Sequence, residues 1–109
     1  MDLKIVDIFE TSDEHKRGLQ YRHIAKDECA LFLYNEKRCP AFWNINVPTD
    51  LWVSAVVDGE VRDVILLKKE SKVPNKFSVL ADMFVESRIY IPLGRMVDVD
   101  VESGCLHLC

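Results

Sequence analysis

Residues 51–67 read Leu-Trp-Val-Ser-Ala-Val-Val-Asp-Gly-Glu-Val-Arg-Asp-Val-Ile-Leu-Leu. Two runs rich in apolar and β-branched residues, Leu51 to Val57 and Val61 to Leu67, flank Asp58-Gly59. A type I′ turn needs positive φ at both central positions, and Asp-Gly is one of the few pairs that adopts it at little cost. The stretch predicts a β-hairpin.

Outward from the hairpin the same texture continues. Ala30 to Tyr34 and Phe42 to Val47 are further strand candidates, with Pro40 and Pro48 at margins where a missing N–H costs little. Lys68 to Asn75 reads as a loop, followed by candidate strands at Phe77 to Leu80, Phe84 to Ile91 and Met96 to Val101. Val97, Val99 and Val101 alternate with Asp98, Asp100 and Glu102, a period of two with one wet face. Pro92-Leu93-Gly94 and Ser103-Gly104 are turns.

At the other end, Leu3 to Phe9 reads as a strand. Thr11 and Glu14 form a capping-box pattern, predicting a helix from about Ser12 to Tyr21. Its polar face would carry Asp13, His15, Lys16 and Arg17, with Leu19 and Tyr21 turned to the core. Short strands at roughly 8 to 12 residue spacing and one helix predict a mainly β fold. The expectation is a compact jelly-roll-like sandwich or barrel with one short N-terminal helix, forming a single domain over residues 1–109. Strand order does not follow from the pattern.

Composition sets further bounds. Hydrophobic residues make up 49% and charged residues 29%, a globular balance. The net charge of −4 disfavours a nucleic-acid partner, since phosphate neutralisation supplies most duplex affinity. The cluster Lys68, Lys69, Glu70, Ser71, Lys72 reads as a solvated loop. No run approaches the roughly 18 apolar residues of a membrane helix, and MDLKIVDIFE lacks signal-peptide character. A cytoplasmic location is expected, with Cys29, Cys39, Cys105 and Cys109 as free thiols.

Two segments resemble the family called domain of unknown function 192. In the first, Thr11, Glu14, Arg17-Gly18-Leu19 and Arg22 precede Ala30-Leu31-Phe32-Leu33-Tyr34. In the second, Phe42-Trp43-Asn44-Ile45-Asn46 leads to Pro48-Thr49-Asp50-Leu51 and the Val56 to Val61 hairpin. Order and spacing are similar over residues 3 to 66. The chain departs from the pattern with Gln20 where Met is usual, Cys29 where Gly is usual and Val47 where Thr is usual. It also lacks two residues between Val47 and Pro48. Toward the C-terminus, a helix usual in the family is replaced by the strand-like Arg95 to Val101. The resemblance implies a compact, mostly β domain and no activity.

The resemblance also singles out Arg22, Trp43, Asn46 and Asp50. Converging, they would offer a guanidinium fork, a stacking face and amide hydrogen bonds to a planar or anionic ligand. The competing reading pairs Arg22 with Asp50, sets Asn46 in a turn and places Trp43 in the core. Cys105, His107 and Cys109 share one face of an extended chain and are weak zinc-ligand candidates, with Cys29 or Cys39 completing a set. An exposed tail or strand edge is the plainer reading. Asp98, Asp100 and Glu102 are read as a solvated edge rather than a cation site. His15 lies on the polar helix face, and His23 stands near Arg22 without a nucleophile motif. No glycine-rich phosphate loop is present and no cofactor is expected.

Three functions follow from this reading. The first is a non-catalytic module binding a small molecule or protein partner. The second is a small hydrolase or isomerase using Asp50 or His23 as general base. The third is an accessory protein dimerising through a sheet edge.

Overall fold

A computed structural model describes residues 1–109. Strands occupy Asp2–Phe9 (β1), Glu28–Arg38 (β2), Ala41–Phe42 (β3), Leu51–Val57 (β4), Glu60–Leu67 (β5), Asn75–Lys76 (β6), Ala81–Ser87 (β7), Val97–Asp100 (β8) and Cys105–Leu108 (β9). The one α-helix is Ser12–Arg17 (α1). Seven strands make one strongly curled, half-barrel sheet in the order β5-β4-β7-β2-β1-β9-β8, and β3 pairs with β6 separately. The fold is mainly β and barrel-like with one short N-terminal helix, and its extents are 32 × 27 × 25 Å. No helix is long and apolar enough to cross a membrane.

The Asp58-Gly59 turn forms as expected, with φ of 51° and 78° and Val57 paired to Glu60. The β4 and β5 boundaries fall within a residue of the two runs that flank it. Every neighbouring pair in the large sheet is antiparallel except β1 with β2, which is parallel. A parallel pair cannot be joined by a tight turn, so residues 10–27 must cross over one face of the sheet. That crossover carries α1.

Alternation along each strand gives the sheet two apolar faces. The inner face gathers Leu3, Cys29, Leu31, Val56, Val61, Val85, Val97, Leu106 and Leu108. Residues from both ends of the sheet meet there, which identifies it as the concave side. The curl is held near the Asp58-Gly59 turn, where Val61 N–H donates to Arg95 O (2.9 Å) and Gly94 N–H to Val61 O (2.8 Å). The outer face presents Phe9, Ala30, Phe32, Val53, Ala55 and Phe84, and is covered by Leu19, Ile24, Phe42, Val47 and Phe77 from the connecting segments.

Several elements differ from the sequence reading, each for a local reason. The helix stops at Arg17, because Gly18 takes a φ of 48° while the Phe32 ring lies against it. Tyr21, expected to touch the core, has a φ of 61° and is 82% exposed. The run Phe42 to Val47 is strand only at Ala41–Phe42. Beyond it, the Asn44 side-chain amide donates to the carbonyls of Thr49, Leu67 and Lys68, bonds that compete with a ladder. Phe77 to Leu80 is not a strand, since Asp63 captures the Ser78 N–H (2.8 Å) and turns the chain. The strand expected over Phe84 to Ile91 is Ala81–Ser87, closed by Ser87 Oγ bonding the Ile89 backbone.

The largest difference lies at the C-terminus. Cys105–Leu108 is neither tail nor edge but an interior strand between β1 and β8, with Leu106 fully buried. The alternation holds only within β8, Val97 facing the core and Asp98 facing solvent, whereas Val101, expected on the apolar face, lies in the turn beyond the strand and is 80% exposed.

Candidate functional site

A cavity of about 500 Å³ lies between the outer face of the sheet and its cover. Its floor is Phe32 and Tyr34 of β2 with Glu86 of β7. One wall is α1 and the turn after it, and the other is the segment Phe42–Val47. The helix is positioned by its capping box: Thr11 Oγ1 accepts from Glu14 N–H (3.2 Å), and Glu14 Oε1 accepts from Thr11 N–H (2.9 Å). The backbone N–H groups of Thr11, contributing most, and of Glu10 donate to the Glu14 carboxylate and hold it below its usual range.

His15 is half-buried rather than solvated, correcting the expectation for it. Its Nε2 lies 3.0 Å from Phe9 O and 2.8 Å from Leu33 O. Carbonyls only accept, so Nε2 carries a proton and donates between them. The ring stacks on Tyr34, with centroids 4.1 Å apart. This bond ties the crossover to the end of β1 and to the middle of β2. Tyr34 also meets Phe84 edge-on at 5.6 Å, and burial raises its phenol pKa, offset in part by Arg38.

Glu86 is the most unusual residue of the site. It shares a face of β7 with Phe84 and is 4% exposed. Its cross-strand neighbours are Ala30 and Val53, which offer nothing polar from their side chains. No ion pair or side-chain hydrogen bond reaches its carboxyl, and burial alone pushes the pKa up to about 8. At neutral pH the carboxyl keeps its proton. The sequence reading did not single Glu86 out. The available signal was its phase, two residues after Phe84 in Phe84-Val85-Glu86-Ser87.

The four residues singled out from the sequence are not gathered in this cavity. Trp43 lines it and is half-exposed at 51%, so it is not core. Arg22 Nη1 donates to Asp7 Oδ2 at 2.6 Å, an ion pair with β1 rather than with Asp50. Asn46, at a φ of 58°, donates to Tyr21 Oη (2.9 Å) and Gln20 Oε1 (3.3 Å), and its carbonyl accepts from Tyr21 N–H (2.7 Å). It staples the turn after α1. Asp50 accepts from Lys69 N–H (2.7 Å) in a separate shallow depression with Lys26 and Arg88. His23 is exposed and lines neither.

At the C-terminus, His107 lies between two carboxylates, with Nδ1 2.8 Å from Asp2 Oδ1 and Nε2 3.4 Å from Asp100 Oδ2. Asp2 first and Asp100 second raise its pKa. Cys29 is buried on the inner face, with its thiol pushed up to about 12, which disfavours the thiolate a metal needs. The four cysteines are free, and no group of three or more His, Cys, Asp or Glu side chains is placed to hold a metal ion.

The arrangement defines a small β half-barrel whose outer face carries a covered, partly aromatic cavity. No family model matches the chain, and no curated protein matches it. Two crystal structures are similar in fold. One is a proposed transcription regulator from Sinorhizobium meliloti 1021, with a TM-score of 0.69 and 22% identity over 73% of this chain and 64% of that one. The other is a protein of unknown function from Novosphingobium aromaticivorans DSM 12444, also at 0.69, with 21% identity over 76% and 62%. The chain thus spans less than two thirds of either protein, and the likeness shows the fold.

Proposed function

We propose that this chain is a binding module for a small molecule, held in the cavity between α1, β2, β7 and the Phe42–Val47 segment. The observation that carries this is Glu86, a buried carboxyl without a protein partner that lines a cavity of about 500 Å³. Burying an unpaired polar group is costly, and ligand sites are where folds retain such groups. The volume is in the usual range for small-ligand sites, and the mixture of rings with a few polar groups is their usual lining. The net charge of −4 gives no support to a nucleic-acid partner.

The test is a thermal-shift screen of metabolites against the wild type and Ala41→Trp. Ala41 is exposed and lines the cavity, so an indole there fills the space without entering the core. A true ligand at 100 times its Kd adds about 2.7 kcal/mol to the wild type. That gain should vanish in Ala41→Trp while its ligand-free Tm stays unchanged. Hits that stabilise both proteins equally would place binding elsewhere and defeat the reading.

One observation favours a catalytic reading as second. A carboxyl with a pKa of about 8 in a cavity is suited to general acid–base work near neutrality. That role would fall to Glu86 rather than to Asp50 or His23, which lie outside the cavity. Turnover of a screened ligand that is lost in Glu86→Gln would establish it.

A further inference from the structure

The cavity has a polarity that specifies a class of ligand, an inference that rests on the binding reading above. Its floor carries one acidic group, Glu86, 4% exposed and unpartnered. Aromatic side chains, Tyr34, Phe42 and Trp43, line the same cavity. Its solvent-exposed lining is instead basic: Lys16, Arg17 and Arg38, against Glu10 alone. Lys16 makes no ion pair, and Arg17 lies over the Phe9 ring at 6.0 Å. Arg38 is tied only to the exposed Glu36 (3.2 Å).

We propose that the site takes a short zwitterion, with an ammonium on Glu86 among the rings and a carboxylate or similar anion on Lys16 and Arg38 at the mouth. The ammonium meets the unpartnered Glu86, and the anion meets Lys16, which has no ion pair, beside Arg38. A buried carboxylate is strongly stabilised by a cation that hydrogen-bonds to it, and aromatic faces add attraction for the same head group. A simple cation would be repelled by the basic mouth, and a simple anion would leave Glu86 unanswered.

Binding of this kind exchanges a proton. The empty cavity holds Glu86 protonated at pH 7, whereas the ammonium needs it ionised, so one proton leaves Glu86 for solvent as the ligand enters. Below pH 8 the apparent affinity should therefore rise about tenfold per pH unit. The groups that face this change are His15, Lys16 and Arg17 from α1, Tyr34 and Arg38 from β2, and Glu10 before the helix. Val53, the neighbour from β4, does not titrate.

The experiment uses four probes built on one benzene ring: 4-(aminomethyl)benzoate, benzylamine, benzoate and benzyl alcohol. Binding is followed by calorimetry and by NMR shifts at the Trp43 indole. The zwitterion should bind at least tenfold more tightly than benzoate or benzylamine at pH 7.5. Its affinity should rise about tenfold from pH 6.5, with release of one proton measured in buffers of different ionisation enthalpy. Glu86→Gln, which keeps shape and neutrality, should remove the advantage over benzoate and the pH dependence together. Lys16→Gln with Arg38→Gln should remove the advantage over benzylamine. Benzoate binding as tightly as the zwitterion, or proton uptake in place of release, overturns the proposal and makes Glu86 a donor to anions. A wild type that binds none of the charged probes also overturns it. The cavity reading is decided separately by Ala41→Trp, so the two failures are distinguishable.

Discussion

Glu86→Gln should make the protein more stable in mild alkali, removing the part of the pH dependence between 5 and 8.5 that Glu86 causes. The folded state raises the Glu86 pKa from 4.5 to about 8. Between those values the folded chain binds a proton that the unfolded chain has lost, so stability falls as pH rises through the interval. The difference of about 3.5 pH units corresponds to about 5 kcal/mol at 1.36 kcal/mol each, an upper figure for a carboxyl that opens onto a cavity. A domain of this size has about 5–15 kcal/mol in total, so the effect is large. About 4 kcal/mol of it falls between pH 5 and pH 8.5, so at about 4 °C per kcal/mol the Glu86 part should lower the wild-type Tm by up to about 15 °C across that range.

The window is clean for physical reasons. The lowered carboxyls Glu14, Asp63 and Asp100 stabilise the fold above their unfolded values and lose that contribution only as pH falls through their folded ones, below the window. Cys29 and Tyr34, both raised, act above it. His107, raised by Asp2 and Asp100, contributes stability that is complete below 6.5 and lost above it. It has the same sign as Glu86 but is common to wild type and variant. Urea unfolding of both proteins at half-unit pH steps isolates the Glu86 part as their difference. The curves should meet near pH 5 and diverge to pH 8.5, the variant being the more stable. Parallel curves would refute the argument, because Glu86 would then ionise alike in the folded and unfolded chains.

Two further substitutions examine separate parts of the structure. Gly59→Ala has room for its methyl, 3.5 Å from Val97 O, but forces an L-residue to a φ of 78°, so denaturant unfolding should show a loss of about 1–2 kcal/mol from strain alone. Arg22→Ala breaks an ion pair whose members are 39% and 35% exposed, and should cost at most about 1 kcal/mol while leaving every ligand-induced thermal shift unchanged. Loss of those shifts would return Arg22 to the binding site.

What the sequence made legible was what short-range chemistry decides. Asp58-Gly59 sets its turn through backbone preference, and Thr11 with Glu14 marks the helix start, because each needs only residues within four positions. The parallel pairing of β1 with β2 and the insertion of β9 between β1 and β8 depend on partners distant in the chain, and no local pattern encodes them. Asn44 shows a subtler case. Its neighbours Phe42, Trp43 and Ile45 have strand character, but its amide finds three carbonyls that only the folded chain brings near. The candidate site shows the same division. Trp43 was visible as an aromatic in a motif, whereas Glu86 stood out only once β2 and β4 were seen to flank it on either side.

The topology explains why a cavity exists at all. A curled sheet with a core inside would ordinarily leave the outer face to solvent, with polar residues alternating outward. Here the parallel β1–β2 pair sends residues 10–27 back across that face, so Phe9, Phe32 and Phe84 can be apolar there. The cover is thin. Its helix has six residues, none of them buried, and only Leu19 and Ile24 of the crossover enter the core. A helix this short has no apolar stripe long enough to fill the space beneath it, so His15 bridges two carbonyls instead and the volume beside it stays open. The inner core, made of other residues, holds the sheet together independently. The fold can therefore retain an unpaired carboxyl and unfilled volume on its outer face at a stability cost confined to that face, the arrangement a binding module requires.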